Sequence, residues 1–195
     1  MPKKTFDHLP NERKNEIRRI LLPIFTDQAV SQVTVSEIVT ALGMSRGIFY
    51  KYYEDLDDAY QDLIRHYAGQ IHGKIIMNIM THQNDFFTGI ELFLVQTINL
   101  KADSVEARQV KLLTENPNNF SNRANVVHGL EPWKQILKNN HFEIKTDEEA
   151  TSFLYFTMKL TIDTLMDSYA NHWTEAEMLT DYRFKVSWLK NGIAK

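Results

Sequence analysis

The sequence predicts an all-α protein, and three observations carry that reading. Apolar residues recur at helical spacing through most of the chain, strand-like alternation is almost absent, and Thr-x-x-Glu patterns mark helix starts at Thr34, Thr146 and Thr174. The first helix expected is Asn11–Thr26, with Ile17, Ile20, Leu21, Ile24 and Phe25 on one stripe. Pro23 should kink it or restrict its start, because proline lacks an N–H and crowds the preceding turn. Thr34-Val-Ser-Glu37 opens a short helix through Leu42, Gly43 suits the left-handed position after its end, and Ser45 opens a second short helix to about Tyr53. A long helix, about Leu56 to Met80, carries Leu63, Ile64, Tyr67, Ile71, Ile75 and Ile79. Asp85–Leu100, Ser104–Thr114 and about Asn119–Asn139 follow, with Pro117 and Pro132 as punctuation. Thr146 opens a helix to about His172, and Thr174 opens the last one, to about Lys190. No repeat or flexible linker divides the chain. The expected joint lies near residue 55, giving domains 1–55 and 56–195.

Composition narrows the classes. The 195 residues include no cysteine, which excludes a disulfide scaffold and a thiolate zinc site. No stretch approaches the roughly 18–20 apolar residues of a membrane span, and the charged N-terminus lacks the apolar core of a secretory signal. A cytoplasmic protein without a membrane partner is the expectation. Net charge is −3, but it is uneven. Residues 1–53 carry Lys3, Lys4, Arg13, Lys14, Arg18, Arg19, Arg46 and Lys51 against only Asp7, Glu12, Glu16, Asp27 and Glu37. A basic head followed by the acidic run Glu54-Asp55-Leu56-Asp57-Asp58 points to a polyanion-facing N-terminal part.

Thr34 to Tyr53, TVSEIVTALGMSRGIFYKYY, has the physics of a helix-turn-helix. Val35, Ile38, Val39 and Leu42 would face a core completed by Ile17, Leu21 and Phe25. The helix after Ser45 would enter a major groove with its first residues towards base edges. Arg46 could hold a guanine O6/N7 edge bidentately, and Gly47 would let backbone and DNA approach. Tyr50, Lys51 and Tyr52 offer two hydroxyls and an ammonium to phosphates. Ile48 and Phe49 are the expected inward anchors.

The patterns Thr-Val-x-Glu-Ile, Leu-Gly-Met-Ser-Arg-Gly and Ile-Phe-Tyr-x-Tyr-Tyr, over residues 12–60, resemble the N-terminal domain of TetR/AcrR-type transcriptional regulators. The resemblance implies a three-helix DNA-binding domain followed by a helical ligand-binding and dimerisation domain. It implies that Arg46, Gly47 and Tyr50 meet bases or the sugar-phosphate edge, and that Thr34, Ser45, Lys51 and Tyr52 meet phosphates. It further implies a homodimer built on the last two helices, double-stranded operator DNA as partner, a small-molecule effector bound among the middle helices, and no cofactor. One departure stands out. Family members usually place a phosphate-seeking lysine where this chain has Leu56 among four carboxylates. Those carboxylates suit a helix N-terminus but repel DNA. The expected function is therefore a ligand-responsive repressor, with a co-regulator that acts through a partner protein and binds DNA weakly as the alternative.

The last two helices read as two-sided, which suits a subunit interface. Thr157, Thr161, Thr164 and Ser168 form one stripe, opposite a broad apolar face of Leu154, Met158, Ile162, Leu165, Met166, Tyr169 and Trp173. Phe184 and Trp188 form another, separate from Met178, Leu179, Tyr182, Val186 and Leu189. Candidate pocket residues are Phe86, Phe87, Phe93, Phe120, Trp133 and Phe156. An enzyme is not expected: the seven histidines are scattered, and no P-loop, G-x-S-x-G or H-E-x-x-H motif occurs.

Overall fold

The computed structural model describes residues 1–82, 85–115 and 130–192. These form ten α-helices and a short 3-10 turn at Val30–Gln32, with no strand among the described residues. In chain order the helices are α1 (Lys4–Asp7), α2 (Asn11–Thr26), α3 (Val35–Ala41), α4 (Arg46–Tyr52), α5 (Leu56–Thr81), α6 (Phe86–Ile98), α7 (Val105–Thr114), α8 (Leu130–Asn139), α9 (Asp147–Ala170) and α10 (Glu175–Asn191). They fall into two compact units, one of residues 1–70 with 102–113, the other of 71–101 with 114–195. The division falls within α5, whose first part shares the core of the first unit. The boundary expected near residue 55 is where α5 starts.

In the first unit, Ile17, Leu21, Leu22 and Phe25 of α2 are buried with Val35, Ile38 and Leu42, and with Phe49, Tyr53, Leu63 and Tyr67. Val39, expected in that core, is only half-buried. α2 continues through Pro23. Three turn devices explain how so short a head holds its shape. Thr34 Oγ1 accepts from Glu37 N–H at 3.2 Å, and Ser45 Oγ accepts from Ile48 N–H at 3.4 Å. Between them Gly43 lies at φ 60°, Gly43 N–H reaches Thr40 O and Met44 N–H reaches Val39 O. That pair of bonds satisfies two orphan carbonyls of α3 and needs a residue tolerant of left-handed backbone. Of the three expected capping boxes, only the one at Thr174 closes, with Thr174 N–H returning to Glu177 Oε2 at 2.8 Å. The Glu37 carboxylate is taken by Gln28 at 2.8 and 3.0 Å, and that of Glu149 by the N–H of Lys145.

α7 belongs to this same unit. Its Arg108 holds the Asp27 carboxylate through Nε at 3.1 Å and an amino nitrogen at 3.2 Å, and Lys111 Nζ donates to Thr26 O at 2.6 Å. Both cations thereby sit at the C-terminus of α2, where the helix dipole favours them. The Arg108 guanidinium beside Asp27 holds that carboxyl below the usual carboxylate range.

In the second unit, α6, α8, α9 and α10 pack around Phe86, Ile90, Phe93, Leu94, Trp133, Met158, Ile162, Leu165, Met178 and Tyr182. The later part of α5 contributes Ile71, Ile75 and Ile79. Two buried hydrogen bonds tie helices together among the described residues here: Trp133 Nε1–H to Ala150 O, and Tyr182 O–H to Phe87 O, both 2.9 Å. Burial pushes the Tyr182 hydroxyl well above the usual phenol range, which keeps it a donor. α5 and α6 cross so closely at Gly89 that an added Cβ would lie 2.5 Å from Ile79 Cα and 2.9 Å from Asn78 O. Gly89→Ala therefore forces two backbones apart. It should destabilise by about 1–3 kcal/mol despite alanine's better helix propensity, measured as a lower urea midpoint at unchanged slope.

Candidate functional site

The exposed edge of α4 is where sequence-predicted residues converge. Phe49 and the following Tyr53 are fully buried and fix the helix on the core. Arg46, Gly47, Tyr50 and Lys51 lie exposed on the other side, with Thr34 and Ser45 exposed beside them. The Arg46 guanidinium rests 5.9 Å from the centre of the Tyr50 ring, one helical turn on, which holds both at the same surface. Gly47 is not required by the fold. A Cβ there would meet nothing nearer than Ser45 Oγ at 3.9 Å, so packing within the protein does not account for the missing side chain. Ser45 serves first as the N-cap of α4. Tyr52 is half-buried, its ring edge-on to Phe6 at 5.9 Å.

Ile48 overturns an expectation. It is 37% exposed and not an inward anchor, because Phe49 alone fills the core at this turn. It is exposed at the opposite edge of the α4 surface from Arg46, two residues away, and an apolar side chain there can meet a thymine methyl.

Below α4 lies a part-buried polar network. Arg18 donates through Nε and an amino nitrogen to the two oxygens of Asp62, each at 2.9 Å, and its other amino nitrogen lies 3.2 Å from His66 Nδ1. Tyr53 O–H donates to the same carboxylate at 3.3 Å. Burial, reinforced by the nearby Asp62 charge, raises the Tyr53 hydroxyl far above the ordinary phenol range. Burial, then the Arg18 charge, pulls His66 down, which keeps it neutral and able to accept from Arg18. The acidic run after Tyr53 is also put to structural use. Asp55 Oδ1 accepts from Asp58 N–H at 2.8 Å, and Asp58 Oδ2 accepts from Glu54 N–H at 3.0 Å. These carboxylates start α5. Leu56 is half-buried.

The expected pocket residues are placed differently. Phe86, Phe87, Phe93 and Trp133 are buried; Phe86 lies 5.3 Å from Phe87, 5.8 Å from Trp133 and 5.0 Å from Phe142, centre to centre. Phe86 and Trp133 thus fill a core, while Phe87 also borders an open, more polar depression with Glu91, Arg183 and Lys190. Phe156 is 45% exposed and stacks on Phe153 with its outer face free of that ring. Phe120 lies outside the described residues. An open, mainly apolar groove of about 270 Å³ is found elsewhere, between the end of α5 and α8, lined by Ile79, Met80, Pro132, Gln135, Ile136, Asn139 and Asn140.

The expected interface residues divide. Phe184 is 57% and Trp188 50% exposed on α10, with Leu189, Tyr169 and Phe156 exposed as well. Thr157, Thr161, Thr164 and Ser168 are a correction: all four are buried inside the protomer. Their side chains are small enough to let neighbouring helices close over them, so they have no surface to offer. Thr161 Oγ1 donates to Thr157 O at 2.9 Å and Thr164 Oγ1 to Leu160 O at 2.8 Å. Among the described residues no cluster of metal-ligating side chains occurs, and no helix is long and apolar enough to cross a membrane.

Residues 85–193, more than half of the chain, match the family described as tetracyclin repressor-like, C-terminal domain. A TetR family transcriptional regulator from Chloroflexus aurantiacus superposes with a TM-score of 0.44 and 19% identity, over 97% of this chain and 91% of that one. No curated protein matches by sequence.

Proposed function

The chain belongs to the TetR family of transcriptional regulators, and from that premise we propose that it is a homodimeric repressor. Its head, residues 1–55, binds operator DNA in the cytoplasm, and residues 56–195 form the dimer and take a small-molecule effector. The observation that carries the DNA-binding role is the outer face of α4. A cation, a cavity-free glycine, an apolar residue and a tyrosine are displayed together there, although the fold itself does not need that glycine. Arg46 reads a guanine edge, Ile48 a thymine methyl, and Gly47 lets the groove wall approach; Thr34, Ser45, Lys51 and Tyr52 take phosphates, Tyr52 with its ring held back against Phe6. The capping duty of Asp55 and Asp58 favours this reading over a co-regulator that lacks DNA affinity, because their negative charge is directed into the start of α5.

Two recognition helices on a two-fold dimer would read half-sites about 34–36 Å apart. Arg46→Ala should cost about 1–3 kcal/mol of operator affinity and relax base preference at one position in each half-site. Lys51→Ala should weaken all sequences alike and lower the salt slope by about 0.9 for each phosphate it no longer neutralises. Binding titrations across a salt series separate the two roles. Equal, sequence-blind losses for both substitutions would remove the base-reading assignment.

For dimerisation, the exposed aromatic strip of Phe184 and Trp188, joined by Leu189, Tyr169 and Phe156, is the surface we assign to the partner protomer. Phe184→Glu with Trp188→Glu should convert the dimer to a helical monomer in sedimentation at tens of micromolar. A wild-type chain that is monomeric at that concentration defeats the proposal. For the effector, the groove beside Ile79 and Ile136 is the candidate among the described residues: mostly apolar, rimmed by amides, and near the lower end of small-molecule sites in size. The effector would bind better to the state that fits DNA worse, and so release the operator.

A further inference from the structure

We propose that Lys3 is a positioning residue for DNA readout: it fixes the C-terminal end of α4 and cancels the carboxylate standing beside it. This rests on the DNA-binding reading above. Three interactions converge on Lys3. Its backbone N–H donates to Tyr52 O at 2.8 Å, its Nζ donates to Tyr50 O at 3.0 Å, and the same ammonium pairs with Glu54 at 2.8 Å. Tyr50 and Tyr52 end a seven-residue helix, so their carbonyls belong to the group that no intrahelical N–H can satisfy. A cation at that end also complements the helix dipole.

The neighbouring helix α1 explains why Lys3 reaches α4 at all. Phe6 is fully buried, with its ring 5.0 Å from Tyr53 and 5.9 Å from Tyr52, and the Arg18 guanidinium lies over its face at 5.2 Å. That anchor holds the backbone three residues earlier against the end of α4. Glu54 is the member of the acidic run nearest to the proposed phosphate contacts of Tyr50 to Tyr52, and it is exposed. Left unpaired it would repel the DNA backbone. With its ammonium engaged by a carbonyl and a carboxylate, Lys3 acts on the orientation of α4 and on the local charge, and does not itself serve as a phosphate ligand.

The test titrates wild type, Lys3→Met, Lys3→Arg, Glu54→Gln and the Lys3→Met/Glu54→Gln pair. The probe is a labelled duplex of about 30 base pairs, long enough for two half-sites, selected by the wild-type protein from a random pool. Lys3→Met should weaken binding about three- to tenfold while the salt slope stays near that of wild type. Lys3→Arg should retain affinity. Glu54→Gln should do little alone yet recover part of the loss in the Lys3→Met background. Without DNA, Lys3→Met should speed amide exchange at Tyr52 and Tyr53. A salt slope lowered by about 0.9 per subunit, with no recovery from Glu54→Gln, would make Lys3 a direct phosphate ligand and overturn the proposal. Unchanged affinity overturns it too, as does amide exchange that is unchanged at Tyr52 and Tyr53 or that speeds equally throughout α2 and α3, which would mean general unfolding and not a loosened end of α4. Should the wild type select no duplex, the DNA-binding reading fails first and this inference falls with it; in every other outcome the wild-type titration stands and the variants alone decide.

Discussion

Asp62→Ala should destabilise the first unit by about 3–5 kcal/mol, the range for removing one partner of a buried ion pair. The alanine leaves the Arg18 guanidinium in a site that is mostly closed to water, with only His66 Nδ1 and the face of the Phe6 ring beside it, and it takes away the acceptor of the buried Tyr53 hydroxyl. Most of that loss comes from orphaned donors and not from attraction forfeited. Replacing both partners, Arg18→Met with Asp62→Leu, should therefore recover most of it. Chemical denaturation of the three proteins measures the difference. A loss below about 1 kcal/mol for Asp62→Ala would mean that the pair behaves as a surface ion pair and that Tyr53 is held by packing alone. The same variant should weaken DNA binding, because Tyr53 and Phe49 together seat α4.

The second large effect is expected at Trp133. Trp133→Ala should cost about 3–5 kcal/mol. It removes a fully buried indole from its place against Phe86 and Phe153 and leaves Ala150 O without its donor. Trp133→Phe separates the contributions by keeping a ring and losing the hydrogen bond, worth about 1 kcal/mol. An apolar void of this kind accepts small apolar guests, so added indole should raise the thermal midpoint of the alanine variant and leave wild type unchanged. A small loss of stability together with a changed effector response would show instead that the aromatic cluster receives the ligand.

Much of the helical frame was legible in the sequence because helix starts and stops are local chemistry. Ser45, Gly43 and the three threonines announce themselves, and the isoleucine ladder of α5 has a clear period. What failed depended on distant partners. Glu37 has the spacing of a capping box, but Gln28, nine residues away, competes for its carboxylate. Helix α1 has four residues, too few for any periodicity, and its one signal is a lone Phe6. In α4 a single apolar pair, Ile48 and Phe49, cannot by itself say which member turns inward. The threonine stripe misled because a small hydroxyl suits an interface and a crowded interior equally, once it can bond to its own helix. Aromatic type alone did not tell the packed Phe86 from the exposed Phe156.

That last property of the threonines has a mechanical meaning. A buried polar group that bonds to another helix is a pin: moving the helix breaks the bond. Trp133 to Ala150 and Tyr182 to Phe87 are pins of this sort, the first at the opening turn of α9 and the second between α6 and α10. Thr161 and Thr164 carry their acceptors with them on α9. Around these two threonines α9 buries Met158, Ile162 and Leu165, and further on Asp167 pairs with Lys185, whose ammonium has a second carboxylate at Asp181 to turn to. Sliding or rolling this stretch orphans neither of those two threonine donors. At these two turns α9 is greased and not pinned: the hydroxyls travel with the helix, and a small shift there leaves both bonds whole.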